Sequence, residues 1–240
     1  MNAVSPAELL RVLPQARRFA RAITGEQPSG DALVATALRS PLPDLPPRLA
    51  LYSAIVRAAP ARAVEQEALS TRQRQLLLLM ALEDLSTEEA ALVLGLEPSD
   101  ALTEADSARK ALRGVTATDV LVIEDEPIIA MDVQRLVEAC GHRVVGVASS
   151  EAEAVRIAAA HPPGLILADI NLGRGGDGSV AVSRIMQTLK VPVIFVTAYP
   201  ERLLTSEGIE PAYIISKPFE PLALAIATYQ AVTAGRSPLA

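Results

Sequence analysis

Five polar residues close short apolar runs in the second half of the chain. Glu124 and Asp125 follow "VLVI", Asp169 follows "LILA", Thr197 ends "VPVIFVT" and Lys217 follows "AYIIS". If those runs are neighbouring parallel strands, the five residues meet at one edge of a sheet, where ligands bind in open α/β folds. Three carboxylates gathered within several ångströms repel one another and raise each other's pKa, so the arrangement calls for a cation. Oxygen ligands with open positions suit Mg²⁺, which keeps waters and accepts a phosphate oxygen. The central carboxylate, Asp169, is then placed to act as a nucleophile towards phosphorus. The metal and Lys217 would neutralise charge on the transferred group.

The elements that must position these residues follow from periodicity. From Val120 onward the runs "VLVI", "HRVVGV", "LILA", "VPVIFV" and "AYIIS" alternate with helical stretches of roughly ten to fifteen residues, the pattern of βαβ units around a parallel sheet. Residues 118–240 therefore read as an α/β, flavodoxin-like (βα)5 domain. Up to residue 113 the pattern is different. "PAELLRVLPQARRFARAI" and "RQRQLLLLMALEDL" repeat apolar residues at helical spacing, and nothing there alternates like a strand. The proline-rich "SPLPDLPP" reads as a loop and "RAAPARA" as a connection, which divides the all-α part into lobes over 1–58 and 59–117.

At 240 residues the chain can bury two cores. Its longest apolar run, "LLLLMAL", is far shorter than the roughly 20 residues that span a bilayer. The N-terminus also lacks a basic flank before an apolar core. A cytoplasmic protein without a membrane partner is expected. Cys140 is the only cysteine, which excludes a disulfide framework and reads as a small buried helix residue. The net charge is −6, with 13 basic against 14 acidic residues up to residue 118 and nine against 14 beyond it. Neither part is a basic module that would coat nucleic acid. Aromatics make up 3% of the chain and Trp is absent, which argues against a stacking platform for single strands. His142 and His161, beside Gly141 and Pro162, read as solvated loop residues. "GRGGDG" at 173–178 reads as a flexible loop ending at a helix start.

Residues 119–233 resemble the receiver domain of a two-component response regulator. That resemblance implies that Asp169 is the phosphoacceptor, that Glu124 and Asp125 are the acidic pair holding Mg²⁺, and that the backbone carbonyl of Asn171 completes the protein ligands. It implies that Thr197 moves to meet the phosphoryl group and that Lys217, ahead of a cis bond to Pro218, pairs with it. A sensor histidine kinase or phosphotransfer protein is the implied donor. The chain would then be no enzyme beyond autophosphotransfer and slow self-dephosphorylation. Most receivers carry an aromatic switch residue three positions before the lysine, where this chain has Ile214. Its aromatic is Tyr199, in "FVTAYPER", a pattern similar to receivers of the bacterial general stress response. This places Tyr199 among the switch residues and puts the usual rotameric switch in doubt. A phosphohydrolase of the haloacid-dehalogenase type would need an acidic residue where Asn171 stands.

Residues 6–113 resemble a small extracytoplasmic-function sigma factor. "LPQARRFARAITGEQPSGDALVATAL" is similar to the start of the polymerase-binding region, and "LSTRQRQLLLLMALEDLSTEEAALVLGL" to the first helices of the promoter-reading region. Ser86 and Glu89 form a capping box, Gly95 makes the turn, and "EPSDALTEADSARKALR" supplies the second helix. In a DNA reader the first turns of that helix reach base edges, with basic side chains nearby on phosphates. Here those turns carry Asp100, Glu104 and Asp106, and Arg109, Lys110 and Arg113 come only at the far end. Acids stabilise a helix N-terminus by about 0.3 to 1 kcal/mol each, which explains the carboxylates but not the missing cations. Phe19 and Tyr52 are the only aromatics of the first lobe. A sigma-like half followed by a receiver resembles the PhyR family of alphaproteobacterial stress regulators. The family implies that the phosphorylated protein sequesters a NepR-type anti-sigma factor through a decoy surface, without specific DNA binding. The alternative, a DNA-binding response regulator or a working sigma factor fused to a receiver, predicts salt-sensitive DNA binding.

Overall fold

The computed structural model describes residues 5–60, 68–112, 117–198, 211 and 213–234. The described residues up to Leu112 belong to one compact unit and residues 117–198 and 213–234 to a second, so both helical lobes belong to the first. That unit is built from α1 (Pro6–Thr24), α2 (Gln27–Arg39), α3 (Pro47–Ala58), α4 (Thr71–Ala81), α5 (Thr87–Leu94) and α6 (Pro98–Leu112). Capping boxes start three of them: Ser5 with Glu8, Ser70 with Gln73 and Ser86 with Glu89. Gly95 ends α5 at φ 66°, a left-handed conformation open to glycine at no steric cost. Leu76, Leu77, Leu78 and Leu79 are all fully buried, so α4 is covered all round and forms the middle of this core. The "SPLPDLPP" segment is a loop leading into α3, whereas "RAAPARA" begins in the last turn of α3 and its final three residues, 61–63, lie outside the described residues.

A buried polar cluster ties the lobes together. Glu83, in the turn after α4, is fully buried and accepts two hydrogen bonds from the Arg18 guanidinium of α1, at 2.9 and 2.8 Å. The Tyr52 hydroxyl of α3 donates to the same carboxylate at 2.5 Å, and Arg48 donates to the Glu83 backbone carbonyl. Burial works against the charge on Arg18, but Glu83 outweighs it and raises the guanidinium pKa. Burial, with the Glu83 carboxylate beside it, also pushes the Tyr52 hydroxyl far up. The Phe19 and Tyr52 rings are fully buried with centroids 5.0 Å apart, which commits both aromatics of the first lobe to its core.

The second unit has a five-stranded parallel sheet in the order β2-β1-β3-β4-β5. The strands are β1 (Asp119–Ile123), β2 (Arg143–Ala148), β3 (Leu165–Ala168), β4 (Val193–Thr197) and β5 (Tyr213–Ser216). The helices described with them are α7 (Pro127–Ala139), α8 (Glu151–Ala160), α9 (Gly178–Met186) and α10 (Pro221–Ala234). β3 is buried at every position, as a central parallel strand covered on both faces must be. One face packs Leu121, Ile123, Ile166, Ala168 and Phe195 against Ala154 and Ala158 of α8 and Ala181 and Ile185 of α9. No helix among the described residues is long and apolar enough to cross a membrane.

Two sequence expectations change here. His142 is buried, not solvated, and its Nδ1 accepts the Thr118 backbone N–H at 3.3 Å. The turn at Gly141 folds the ring inward, and burial pushes the imidazole pKa down. His161 is exposed, as expected. Cys140 is the C-terminal cap of α7 and only half-buried, because the helix ends as its last turn leaves the core.

Candidate functional site

Strand register assembles the site. Ile123 pairs with Ala168 across β1 and β3, so the next residues, Glu124 and Asp169, leave the sheet side by side. Thr197 pairs with Ser216 across β4 and β5, which brings Lys217 to the same carboxyl edge. Backbone bonds hold the arrangement: Asp169 N–H to the Ile123 carbonyl at 2.8 Å, Glu124 N–H to Ala148 at 2.9 Å, and Lys217 N–H to Thr197 at 2.8 Å. The Lys217–Pro218 peptide is cis.

At the centre the Lys217 ammonium donates to Glu124 Oε2 at 2.6 Å and to Asp169 Oδ2 at 2.7 Å. All three side chains are largely removed from solvent. Burial pushes the Glu124 carboxyl pKa up, Lys217 opposes that, and the Asp169 charge adds to it. Burial likewise disfavours the Lys217 charge, but hydrogen bonds to Asp169 and Glu124 outweigh it and raise its pKa. The second Glu124 oxygen accepts the Glu126 N–H at 3.3 Å. Thr197 is buried at the end of β4, Asp125 is half-buried after Glu124, and Asn171 is exposed with its N–H directed to Asp169 Oδ1 at 3.3 Å. Tyr199 lies outside the described residues.

Among the described residues no three His, Cys, Asp or Glu side chains close on one metal-sized point. Glu124 and Asp169 converge instead on the ammonium of Lys217. The donors still suit Mg²⁺, a hard cation that takes one or two carboxylates and fills its remaining positions with water and phosphate oxygens. Asp125, Asp169 and a backbone carbonyl are such a set.

The glycine-rich segment after Asp169 is packed and hydrogen-bonded. Leu172 is fully buried, its N–H reaches the Gly176 carbonyl at 3.2 Å, and the Gly178 N–H reaches Ile170 at 2.8 Å. Asn171 and Asp177 form an antiparallel bridge, and Asp177 caps α9. A Cβ on Gly178 would collide with the Asp169 carbonyl, so only glycine lets α9 start against the strand end. A count of glycines suggests freedom. Here each lets two backbones or a side chain approach closely.

The second helix of the helix-turn-helix buries Ala101, Ala105, Ala108 and Leu112 and exposes Asp100 and Asp106. Glu104 pairs with Arg72 at 3.4 Å and Asp106 with Arg109 at 3.0 Å. Two of the basic groups nearest this helix therefore already face carboxylates. Phe19 and Tyr52 lie inside the core, so neither ring is placed to stack on an unpaired base.

Comparison with known proteins covers nearly the whole chain. Residues 120–228 match the response regulator receiver domain, and residues 9–56 match the Sigma2 domain of PhyR. The phyllosphere-induced regulator PhyR of Methylorubrum extorquens is 41% identical over 254 aligned positions, covering 95% of each chain. The crystal structure of the anti-anti-sigma factor PhyR from Bartonella quintana matches with a TM-score of 0.85 at 38% identity, over 96% of both chains. That of the response regulator PhyR from Brucella abortus matches at 0.84 and 36%, over 96% of this chain and 94% of the other. A receiver whose register gathers Glu124, Asp169 and Lys217, joined to a sigma-like helical unit and similar to these regulators along its length, belongs to the PhyR family.

Proposed function

We propose that the protein is a phosphorylation-dependent anti-anti-sigma factor, in which phosphorylation of Asp169 makes the sigma-like unit available to sequester a NepR-type anti-sigma factor. The observation that carries this reading is the Glu124–Lys217–Asp169 cluster, in the same chain as a helix-turn-helix whose second helix presents acids. The name of the Bartonella quintana relative, an anti-anti-sigma factor, supports it.

A sensor histidine kinase or phosphotransfer protein is the donor. An Asp169 carboxylate oxygen attacks phosphorus, forming an O–P bond as the P–N bond to the donor's histidine breaks and that imidazole takes up a proton. Asp125, Asp169 and the Asn171 backbone carbonyl, with Glu124 completing the acidic pair, would hold Mg²⁺, which would supply charge neutralisation on the transferred group. Glu124 stands beside Asp169 at the strand ends, its carboxylate oriented by Lys217 and the Glu126 N–H. Lys217 follows the new negative charge on the phosphoryl oxygens, and the Thr197 hydroxyl donates to one of them. Tyr199, two residues on, carries the change outward. Phosphorylation replaces one negative charge with a group bearing about −1.5 to −2 and three strong acceptors, enough to reorganise these contacts. The protein works in the cytoplasm, accepts and slowly loses the phosphoryl group, and catalyses no turnover of an external substrate.

Incubation with acetyl phosphate and Mg²⁺ followed by intact mass should show one phosphoryl adduct, absent without the metal and absent in Asp169→Asn. Undiminished labelling of Asp169→Asn would overturn the assignment.

A further inference from the structure

We propose that Gly173 is a positioning residue for the Asp125 carboxylate, so that the glycine-rich loop after Asp169 sets the affinity of the acidic site for Mg²⁺. The inference rests on the reading of that site as a Mg²⁺-dependent phosphoacceptor. Gly173 has φ 51°, and a Cβ built on it would stand 2.9 Å from Asp125 Oδ2, closer than van der Waals contact allows. One of the two groups must then move. The loop has nowhere to go, because a Cβ on Gly175 would already strike the Ser149 carbonyl, which shows how closely the two backbones pack. Its shape is fixed by the Gly175 N–H to Leu172 bond at 2.6 Å, the Leu172 to Gly176 bond at 3.2 Å and the burial of the Leu172 side chain. Asp125 is the yielding partner, since its contacting oxygen is the far end of a half-buried side chain. Gly173 therefore leaves the space in which that oxygen stands, and a Cβ there meets Asp125 and no atom of Asp169, Glu124 or Lys217 within 4 Å. Gly176 supplies the control. It lies in the same loop at φ 105°, but a Cβ there would face Glu151 at 3.1 Å, not Asp125.

The test is calorimetric titration of the full-length protein with MgCl₂, alongside thermal melts. Gly173→Ala should weaken Mg²⁺ binding by roughly tenfold or more, the scale on which displaced metal-site supports act. Saturating Mg²⁺ should restore acetyl-phosphate labelling of Asp169. Gly176→Ala should lose more thermal stability than Gly173→Ala, since φ 105°, ψ −146° is open essentially to glycine alone, yet bind Mg²⁺ like the wild type. If Gly173→Ala does not fold, Gly173→Asn adds the same Cβ in a residue that tolerates positive φ better, and the same weakening is expected. Wild-type affinity in the Gly173 variants, or equal weakening in Gly176→Ala, would overturn the role of Gly173. Absence of Mg²⁺ binding by the wild type would instead overturn the underlying reading of the site, so the two failures are distinguishable.

Discussion

The ammonium of Lys217 lies 2.7 Å from Oδ2 of Asp169, a lysine in direct contact with the carboxylate proposed to carry the phosphoryl group. The same nitrogen neutralises Glu124, which is 3% exposed and whose pKa burial already raises. In Lys217→Ala that opposing interaction is gone. A carboxyl whose folded pKa stands above its unfolded value contributes stability below the unfolded value, near 4.3 for Glu, and loses it as pH rises through the folded value. The melting temperature of Lys217→Ala should therefore fall increasingly below that of the wild type as pH rises from about 4 to 8. Added Mg²⁺ should still bind the variant, but phosphorylation should no longer change affinity for the anti-sigma factor. A gap independent of pH would mean that Lys217 does not neutralise Glu124.

His142 makes a second pH prediction of opposite sign. Its folded pKa is depressed by burial, and its neutral Nδ1 accepts the Thr118 N–H. Protonation would remove that acceptor. The stability it contributes is present above the unfolded value, near 6.5, and is lost as pH falls through the folded value. A melting-temperature series should show a decline beginning below about pH 6.5. In His142→Asn, whose Oδ1 keeps an acceptor without titrating there, that limb should flatten.

Charge on α6 gives the third. Asp100 is exposed, while Glu104 and Asp106 engage Arg72 and Arg109. Replacing all three acids with Lys adds cations and also releases two arginines, so non-specific DNA affinity should rise with a steep salt dependence. The wild type should show no promoter-specific footprint, phosphorylated or not. A specific footprint would favour the DNA-binding alternative.

Glu83 gives the fourth. Removing a buried carboxylate that holds Arg18 and Tyr52 leaves buried polar groups without their partner. Glu83→Ala should cost about 3 to 5 kcal/mol, measured from the denaturant midpoint of the helical unit's transition. A loss below about 1 kcal/mol, the usual worth of an exposed pair, would show that the cluster does not tie the lobes.

The fold was legible because its signals are local. Apolar runs such as "LILA" and "VLVI" mark buried parallel strands, and "SxxE" at 86–89 marks a helix start. The residues that follow the strands were legible as a cluster, since parallel register aligns strand ends. What was hidden depends on pairs distant in sequence. Glu83 reads as an ordinary polar residue in "ALEDLS", and nothing local reveals that Arg18, 65 positions earlier, will bury it. His142 was misread because a neighbouring glycine signals a turn without saying which way the next side chain faces. "GRGGDG" was legible as a loop ending at a helix start, since α9 begins at Gly178, but a glycine's freedom in an unfolded chain says nothing of the close contacts it permits once folded.

The central claim is that phosphorylation at Asp169 controls capture of an anti-sigma factor. Moving a two-state protein from about 1% to 99% available takes some 5.5 kcal/mol, more than one charge-assisted bond of roughly 1.5 to 3 kcal/mol supplies. Binding of the partner to the available form should therefore provide part of the drive. The direct measurement is calorimetric titration of a NepR-type anti-sigma factor into the full-length protein, with and without phosphorylation. Markedly tighter binding by the phosphorylated form, lost in Asp169→Asn, is the predicted result; equal affinity of the two forms would contradict the account.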